Sequence, residues 1–284
     1  MTVVGCIGLG NMGGALAANL VGAGHTVVTH DLAGPDRNVD GATFVTDVAD
    51  VARLVDIVVL SLPDGSVSEA VARRLVTAAE RRVTHVVDTS TIGPLAAGAI
   101  GALLGEAGIA YVDAPVSGGA AGARARTLMV MFSGSDDACD HVWPVLAGLS
   151  DRRRRVGDRP GLAQAVKLAN NFLSATALAA TSEAVSFGVS VGVDMTVMLE
   201  VLDASSGGNT ATSDKFPNHV VTGRYGSGFT NSLMAKDVEL YLREVEECGG
   251  PSTFGQLTAR MWRGFAAAEP GADFTRIYPF LTGG

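Results

Sequence analysis

Residues 3–20 read VVGCIGLGNMGGALAANL, and the reading of this stretch decides the fold. A β-branched run enters Gly8-x-Gly10-x-x-Gly13, and an Ala- and Leu-rich segment of helical spacing leaves it. In a strand–turn–helix context the first glycine permits the tight turn, the second lets backbone approach a pyrophosphate, and the third lets helix and strand pack closely. The N-terminus of the helix then favours the anion. Alone the triplet is a weak motif. Here Asp31 follows Gly13 by 18 residues and closes the next β-branched run, where a carboxylate can accept from a ribose 2′-hydroxyl. A lone Asp closing a strand is more often a turn residue, but the fingerprint upstream gives this one a purpose.

Working outward, strand candidates at residues 2–8, 26–30, 56–62, 83–88 and 109–113 alternate with helical segments at 11–21, 65–80 and 94–107. Continuously apolar strands separated by helix-length segments imply a parallel sheet covered on both faces. After about residue 160 no alternating strand pattern remains, and Ala/Leu/Val stretches at 163–191, 196–202, 233–247 and 252–268 carry helical spacing. Gly and Pro punctuate residues 157–161. The expectation is an α/β Rossmann domain with a mainly parallel sheet over 1–160, followed by an all-helical domain over 161–284.

Composition agrees and narrows the class. The 284 residues are 47% hydrophobic and 18% charged with a net charge of -8, which suits a folded acidic protein and argues against nucleic-acid or membrane-surface binding. The one basic block, Arg152–Arg155, reads as a solvated edge or loop. Cys6, Cys139 and Cys248 are far apart, and the five histidines show no paired ligand spacing, so neither a disulfide framework nor a metal site is expected. No leader pattern opens the chain, and no uninterrupted apolar run reaches transmembrane length. A cytoplasmic protein is the expectation.

Three more stretches carry polar groups to strand ends or onto an apolar helix. Leu62-Pro63-Asp64 follows the third strand and residues 88–94, DTSTIGP, follow the fourth, at carboxyl ends where open α/β sheets bind ligands. Each is by itself an ordinary helix start. In residues 113–123 the adjacent Gly118 and Gly119 expose consecutive N–H groups beside the Ser117 hydroxyl, a small anion site suited to a carboxylate, although in isolation a flexible turn is the favoured reading. From Gly161 to Ser182 the chain is nearly all apolar or small, yet Gln164, Lys167, Asn171 and Ser174 recur at steps of three, four and three and so share one helix face. A buried ammonium is costly unless it is paired or functional; pairing with a carboxylate and lining of a water layer are the plain alternatives.

The combination of Gly8–Gly13 (GLGNMG), residues 88–92 (DTSTI), 113–119 (DAPVSGG), 161–171 (GLAQAVKLANN) and 233–237 (LMAKD) resembles the β-hydroxyacid dehydrogenase family in order and spacing, most of all its 3-hydroxyisobutyrate dehydrogenase and tartronate semialdehyde reductase branches. The resemblance runs to about residue 245. It implies a Rossmann domain followed by an all-α domain built around one long helix, and interconversion of 3-hydroxy acids and their semialdehydes with NAD or NADP. It further implies that Lys167 is the catalytic lysine with Asn171 as its partner, and that Ser117, Gly118 and Gly119 hold the carboxylate of a small substrate. Gly8, Leu9, Gly10, Asn11, Met12, Gly13, Asp31, Leu62, Pro63 and Thr91 would hold the cofactor, and Lys236 would reach it from the helical domain. A homodimer or homotetramer through that domain is implied as well. Two departures stand out: Ala163 and Arg126 replace glycines of the family, and Arg126 is expected close to the substrate loop.

Chemistry and residues agree. Oxidation of an alcohol needs a base at the hydroxyl and the reverse reaction needs an acid there; a lysine serves both once desolvation and a cationic ring lower its pKa from about 10.4. Asp31 points to NAD over NADP. An imine reductase would lack the lysine and carry an Asn-Arg pair after the second strand, and an idle nucleotide-binding module would have no need of Lys167, Asn171 and Ser117 together.

Overall fold

The computed structural model describes residues 2–283, and the chain divides between Lys167 and Leu168 into two compact units. The first holds β1 (Val3–Ile7), α1 (Asn11–Gly22), β2 (Thr26–His30), β3 (Thr43–Phe44), α2 (Val48–Leu54), β4 (Ile57–Leu60), α3 (Gly65–Thr77), β5 (His85–Asp88) and α4 (Pro94–Glu106). It continues with β6 (Ala110–Asp113), β7 (Val116–Ser117), α5 (Gly119–Arg124), β8 (Met129–Ser133), α6 (Asp136–Leu149) and β9 (Arg152–Gly157). The strands lie in the order β3-β2-β1-β4-β5-β6-β8-β7, with β9 on β8. All pairings from β3 to β6 are parallel; β8 runs antiparallel to β6 and β7.

Every residue of β4 is buried, and helices explain why. Leu16 and Leu20 of α1 and Val142 and Leu146 of α6 pack on one face of the sheet. Val51 of α2, Leu75 of α3 and Ile100 and Leu104 of α4 cover the other. Strand order reverses around β1, which places a crevice outside the carboxyl ends of β1, β2 and β4.

The Arg152–Arg155 run is an edge strand. Its alternate side chains are exposed, while the Arg153 guanidinium lies 4.8 Å from the Trp143 ring and Arg155 pairs with Asp136 at 2.6 Å. Charge along such an edge discourages pairing with another chain. Arg126 departs from expectation. Its backbone holds φ +60°, and its guanidinium donates to Gly148 O at 2.6 Å and Ala147 O at 3.0 Å. It therefore satisfies the last carbonyls of α6, a favourable place for a cation, and is not directed to the Ser117–Gly119 loop.

The long helix α7 (Leu162–Ser190) starts in the first unit and forms the spine of the second, with α8 (Met195–Asp203), a π-helical segment (Ala211–Val220), α9 (Asn231–Glu247), α10 (Thr253–Ala268) and α11 (Ile277–Thr282). By length and hydropathy α7 could cross a membrane. Its Leu178 and Val185 instead join Phe216, Val238, Trp262, Phe265 and Phe274 in a buried cluster, so it is the core helix of a folded unit. Trp262 is wholly buried and donates from Nε1 to Ala175 O at 3.3 Å.

One pair of stacked imidazoles sits at the end of the sheet remote from the crevice. His85 at the start of β5 stacks on His141 of α6, ring centroids 3.9 Å apart and 5° from parallel. Burial first, and the neighbouring imidazole second, push the His85 pKa down to about 4. The unfolded chain binds this proton near pH 6.5, so between about pH 4 and 6.5 unfolding takes up a proton and stability rises with pH. The half-exposed site screens part of the effect. The melting temperature should fall as pH drops through that window, and His85→Phe should flatten the slope; an unchanged slope in the variant would exclude His85 as its source.

Candidate functional site

The glycine turn is built for close approach. Gly8 holds φ +91°, and a Cβ on Gly13 would stand 1.9 Å from Gly8 O, so a side chain there would force β1 and α1 apart. Asn11 and Met12 open α1, with Met12 packed on the core. Asp31, at the end of β2, braces the turn: its Oδ2 accepts from Leu9 N at 2.6 Å and its Oδ1 from Ala33 N at 2.8 Å. A carboxylate has about four acceptor positions, so lone pairs remain for a ligand hydroxyl. Gly8, Gly10, Asp31, Leu62 and Pro63 line one cleft of about 630 Å³, walled by Ile7, Val48, Val67 and Val71 and reached by Arg37 and Arg74. Arg74 is paired with Asp47 at 2.8 Å.

A second assembly surrounds the start of α7. Asp88 and Asp113 end adjacent strands in register, and neither is exposed. Burial raises the pKa of both, opposed by hydrogen bonds to the carboxylates. Asp113 Oδ1 accepts from Ser133 Oγ at 2.6 Å and Gly161 N at 3.1 Å, and Oδ2 accepts from Gln164 N at 3.0 Å. Ser133 Oγ also accepts from Ala163 N at 2.8 Å. The first amides of a helix have no partner within it; here the sheet supplies them.

The side chain of Gln164, with no exposed surface, reaches the loop after β5. Its Oε1 accepts from Ile92 N at 3.0 Å and Gly93 N at 3.2 Å, and its Nε2 donates to Ser90 O at 2.9 Å. Ser90 Oγ accepts in turn from Leu62 N at 2.8 Å, on the cleft wall. Thr91 lies within this loop, and Lys167, 8% exposed, lies three residues beyond Gln164 on α7. Ser117 ends β7, and Gly118 and Gly119 follow at φ +133° and +68°, a backbone that side-chain-bearing residues rarely adopt.

In the second unit Asn171 is buried and donates from Nδ2 to Asp237 Oδ2 at 2.6 Å, while its Oδ1 accepts from Asn170 Nδ2 at 3.1 Å. Lys236 Nζ lies 3.0 Å from Asp237 Oδ1. Thus Asn171 and Lys236 meet through Asp237, which lies within the 233–237 motif and to which the sequence alone assigns no part. Asp88, Ser90 and Asp113 likewise lie within the motifs at 88–92 and 113–119 without a local signal for their roles, and Ser133 lies outside every motif. Among the described residues no group of three His, Cys, Asp or Glu could hold a metal ion.

Comparison with known proteins places this geometry. Residues 3–157 match the family described as the NAD binding domain of 6-phosphogluconate dehydrogenase, and residues 161–281 match the NAD-binding domain of NADP-dependent 3-hydroxyisobutyrate dehydrogenase. The chain is 34% identical to 2-(hydroxymethyl)glutarate dehydrogenase of Eubacterium barkeri, covering 95% of this chain and 91% of that protein. The solved structure of Mycobacterium tuberculosis 3-hydroxyisobutyrate dehydrogenase with L-serine aligns over 99% of both chains, at 30% identity and a TM-score of 0.92. An imine reductase from Pseudomonas sp., 18% identical over 99% of both chains with a TM-score of 0.65, shares the fold alone. The two-unit architecture and its glycine-turn cleft are those of a nicotinamide-dependent oxidoreductase acting on CH–OH groups. The chain belongs to the β-hydroxyacid dehydrogenase family.

Proposed function

We propose that this protein transfers hydride between NAD and a small 3-hydroxy acid of the form HOCH2–CHR–COO⁻, or its semialdehyde, with Lys167 as general acid and base. The small molecules in the names of the relatives, 2-(hydroxymethyl)glutarate, 3-hydroxyisobutyrate and L-serine, share that unit. The observation that carries the proposal is a lysine buried on an apolar helix, in a turn bonded to a loop that is itself bonded to the wall of the dinucleotide cleft.

The residues fit the cofactor. The Gly8–Gly13 turn is a cradle that a Cβ would fill, Asp31 has acceptor capacity to spare, and the cleft walls are apolar. When bound, the nicotinamide supplies the hydride acceptor or donor. Lys167 Nζ takes the hydroxyl proton during oxidation and returns it to the carbonyl oxygen during reduction. Ser117 Oγ and the amides of Gly118 and Gly119 hold the substrate carboxylate. Asn171, braced by Asp237, is assigned to the substrate hydroxyl and Lys236 to the cofactor by their motif positions. The buried Cys6 thiol, pushed up to about 12 by burial, stays protonated and takes no part; three free cysteines suit a reducing cytoplasm.

The helical unit exposes Leu173 and Phe187 on α7, Val201 on α8 and Phe254 on α10, each at 60% or more. Large apolar side chains at that exposure point to a homo-oligomeric contact through this unit. In sedimentation velocity the chain of 29.0 kDa should run as a dimer or tetramer, and Phe187→Glu should shift it toward monomer. A monomeric wild type would reject the contact.

Lys167→Ala should lower kcat by about 100- to 10,000-fold, because it removes the proton acceptor. The NADH dissociation constant, read by fluorescence titration, should change by less than about threefold, under 1 kcal/mol. A variant keeping more than about a tenth of wild-type kcat would remove Lys167 from this role.

Asp31 should favour NAD. The 2′-phosphate of NADP would set negative charge against it, costing roughly 4 kcal/mol per charge pair at about 4 Å and an effective dielectric of about 20. Screening, together with Arg37 on the same cleft, reduces this toward about 1.4 to 2.8 kcal/mol, or roughly 10- to 100-fold in kcat/KM. Measured at one salt concentration, NAD should lead in the wild type and the ratio should shrink in Asp31→Asn. Equal values in the wild type, or an unchanged ratio in the variant, would take Asp31 out of cofactor selection.

A further inference from the structure

We infer that Gln164 is a positioning residue of the reaction: its side chain makes the cleft wall, the loop carrying Thr91 and the turn carrying Lys167 one rigid piece. The inference rests on the proposed function and adds a residue to which that reading gives no task.

The side chain is fully buried and spans two segments that are 71 or more residues apart in sequence. An uncharged amide is suited to the place in a way that few other side chains are. One end must accept from two consecutive amides, Ile92 N and Gly93 N, while the other must donate to Ser90 O. Glutamine carries an acceptor and a donor at the right ends of one planar group. An ionised glutamate would keep the first pair of bonds and set an oxygen against the Ser90 carbonyl; leucine would leave two N–H groups and one C=O buried without partners.

From Ser90 the connection continues. Ser90 N donates to Asp88 Oδ1 at 2.9 Å, and Ser90 Oγ accepts from Leu62 N, so the segment entering the cleft through Leu62 and Pro63 is fixed to the same residue. On the other side, Gln164 N is held by Asp113 Oδ2, at the end of the strand that leads into Ser117–Gly119. Lys167 follows three residues later on the continuous helix α7, so the ammonium inherits its position from this turn. The proton acceptor and the hydride acceptor must both meet the same CH–OH group, and a misplacement of about 1 Å between the groups involved can cost on the order of 100-fold in rate. A single amide that ties the lysine turn to the cleft wall removes that freedom before substrate arrives.

The test uses the full-length enzyme with NAD and 3-hydroxyisobutyrate, comparing wild type, Gln164→Leu and Gln164→Glu. Gln164→Leu should lower kcat by about 10- to 100-fold while the NADH dissociation constant moves by less than about threefold. The primary deuterium isotope effect on kcat should rise, since chemistry becomes more fully rate-limiting. Gln164→Glu supplies the conservative variant and decides the question if the leucine variant does not fold. A buried carboxyl facing a carbonyl is driven to its protonated form, which can donate to Ser90 O as the amide did. The ratio of its kcat to that of wild type should therefore rise as pH falls between about pH 8.5 and 5.5, above the free glutamate value of about 4.3.

A folded leucine variant with wild-type kcat overturns the inference, as does a glutamate-to-wild-type ratio independent of pH, or loss of NADH binding in step with kcat. Failure of the proposed function looks different: the wild type then shows no turnover of the 3-hydroxy acid, or Lys167→Ala is as active as wild type. Failure of this inference alone leaves an active wild type, an inactive Lys167→Ala and Gln164 variants with full activity.

Discussion

Asp113 ends β6 with no contact with water, and its two carboxylate oxygens accept from Ser133 Oγ and from the amides of Gly161 and Gln164. Ser133 adds the amide of Ala163. Together they take three of the amides that a helix of 29 residues would otherwise leave unbonded at its start, and the positive end of the helix favours the carboxylate in return. An unsatisfied buried amide costs about 1 to 3 kcal/mol, so this one contact settles where α7 begins and how its first turns are rotated. The orientation of Gln164 and Lys167 follows from it.

Burial opposes the arrangement. It pushes the Asp113 carboxyl above the ordinary carboxylate range, and the hydrogen bonds pull the other way. Asp88, its neighbour in register, is treated alike and bonds Ser90 N and the Tyr111 hydroxyl. Two buried acids at adjacent strand ends form a polar floor whose oxygens are used inward, to hold loops and a helix start. Hydrogen-bonded networks of this kind, when fully partnered, rigidify the elements they join. The groups proposed for chemistry, Ser117 and Lys167, are thereby carried on elements that Asp113 ties to the sheet.

Much of this was legible in the chain. The glycine turn, Asp31 and the five parallel strands were readable because local sterics and apolar run length dictate them. Lys167 stood out because an ammonium on an apolar helix needs a reason. Four strands were missed, β8 among them, and for the other three the causes are equally physical. β3 and β7 are two residues long and have no periodicity, and β9 carries four arginines because its outer side faces water at the edge of the sheet. Arg126 was misplaced because nothing local says which helix end a guanidinium will meet; it meets the carbonyls of Ala147 and Gly148, more than twenty residues further on.

The sequence by itself determined the class of the five parallel strands and of the long helices, the cleft-forming turn and the exceptional place of the lysine, since φ limits, periodicity and the cost of a buried charge act within a few residues. Tertiary structure alone decided what holds that lysine in place. Gln164 meets Ser90 across 74 positions and its own amide meets Asp113 across 51, while Asn171 finds Asp237 across 66. Each is a hydrogen bond with a narrow range of distance and angle, and no pattern in the chain specifies which donor will reach which acceptor until packing of helices on the sheet has set the distances between them.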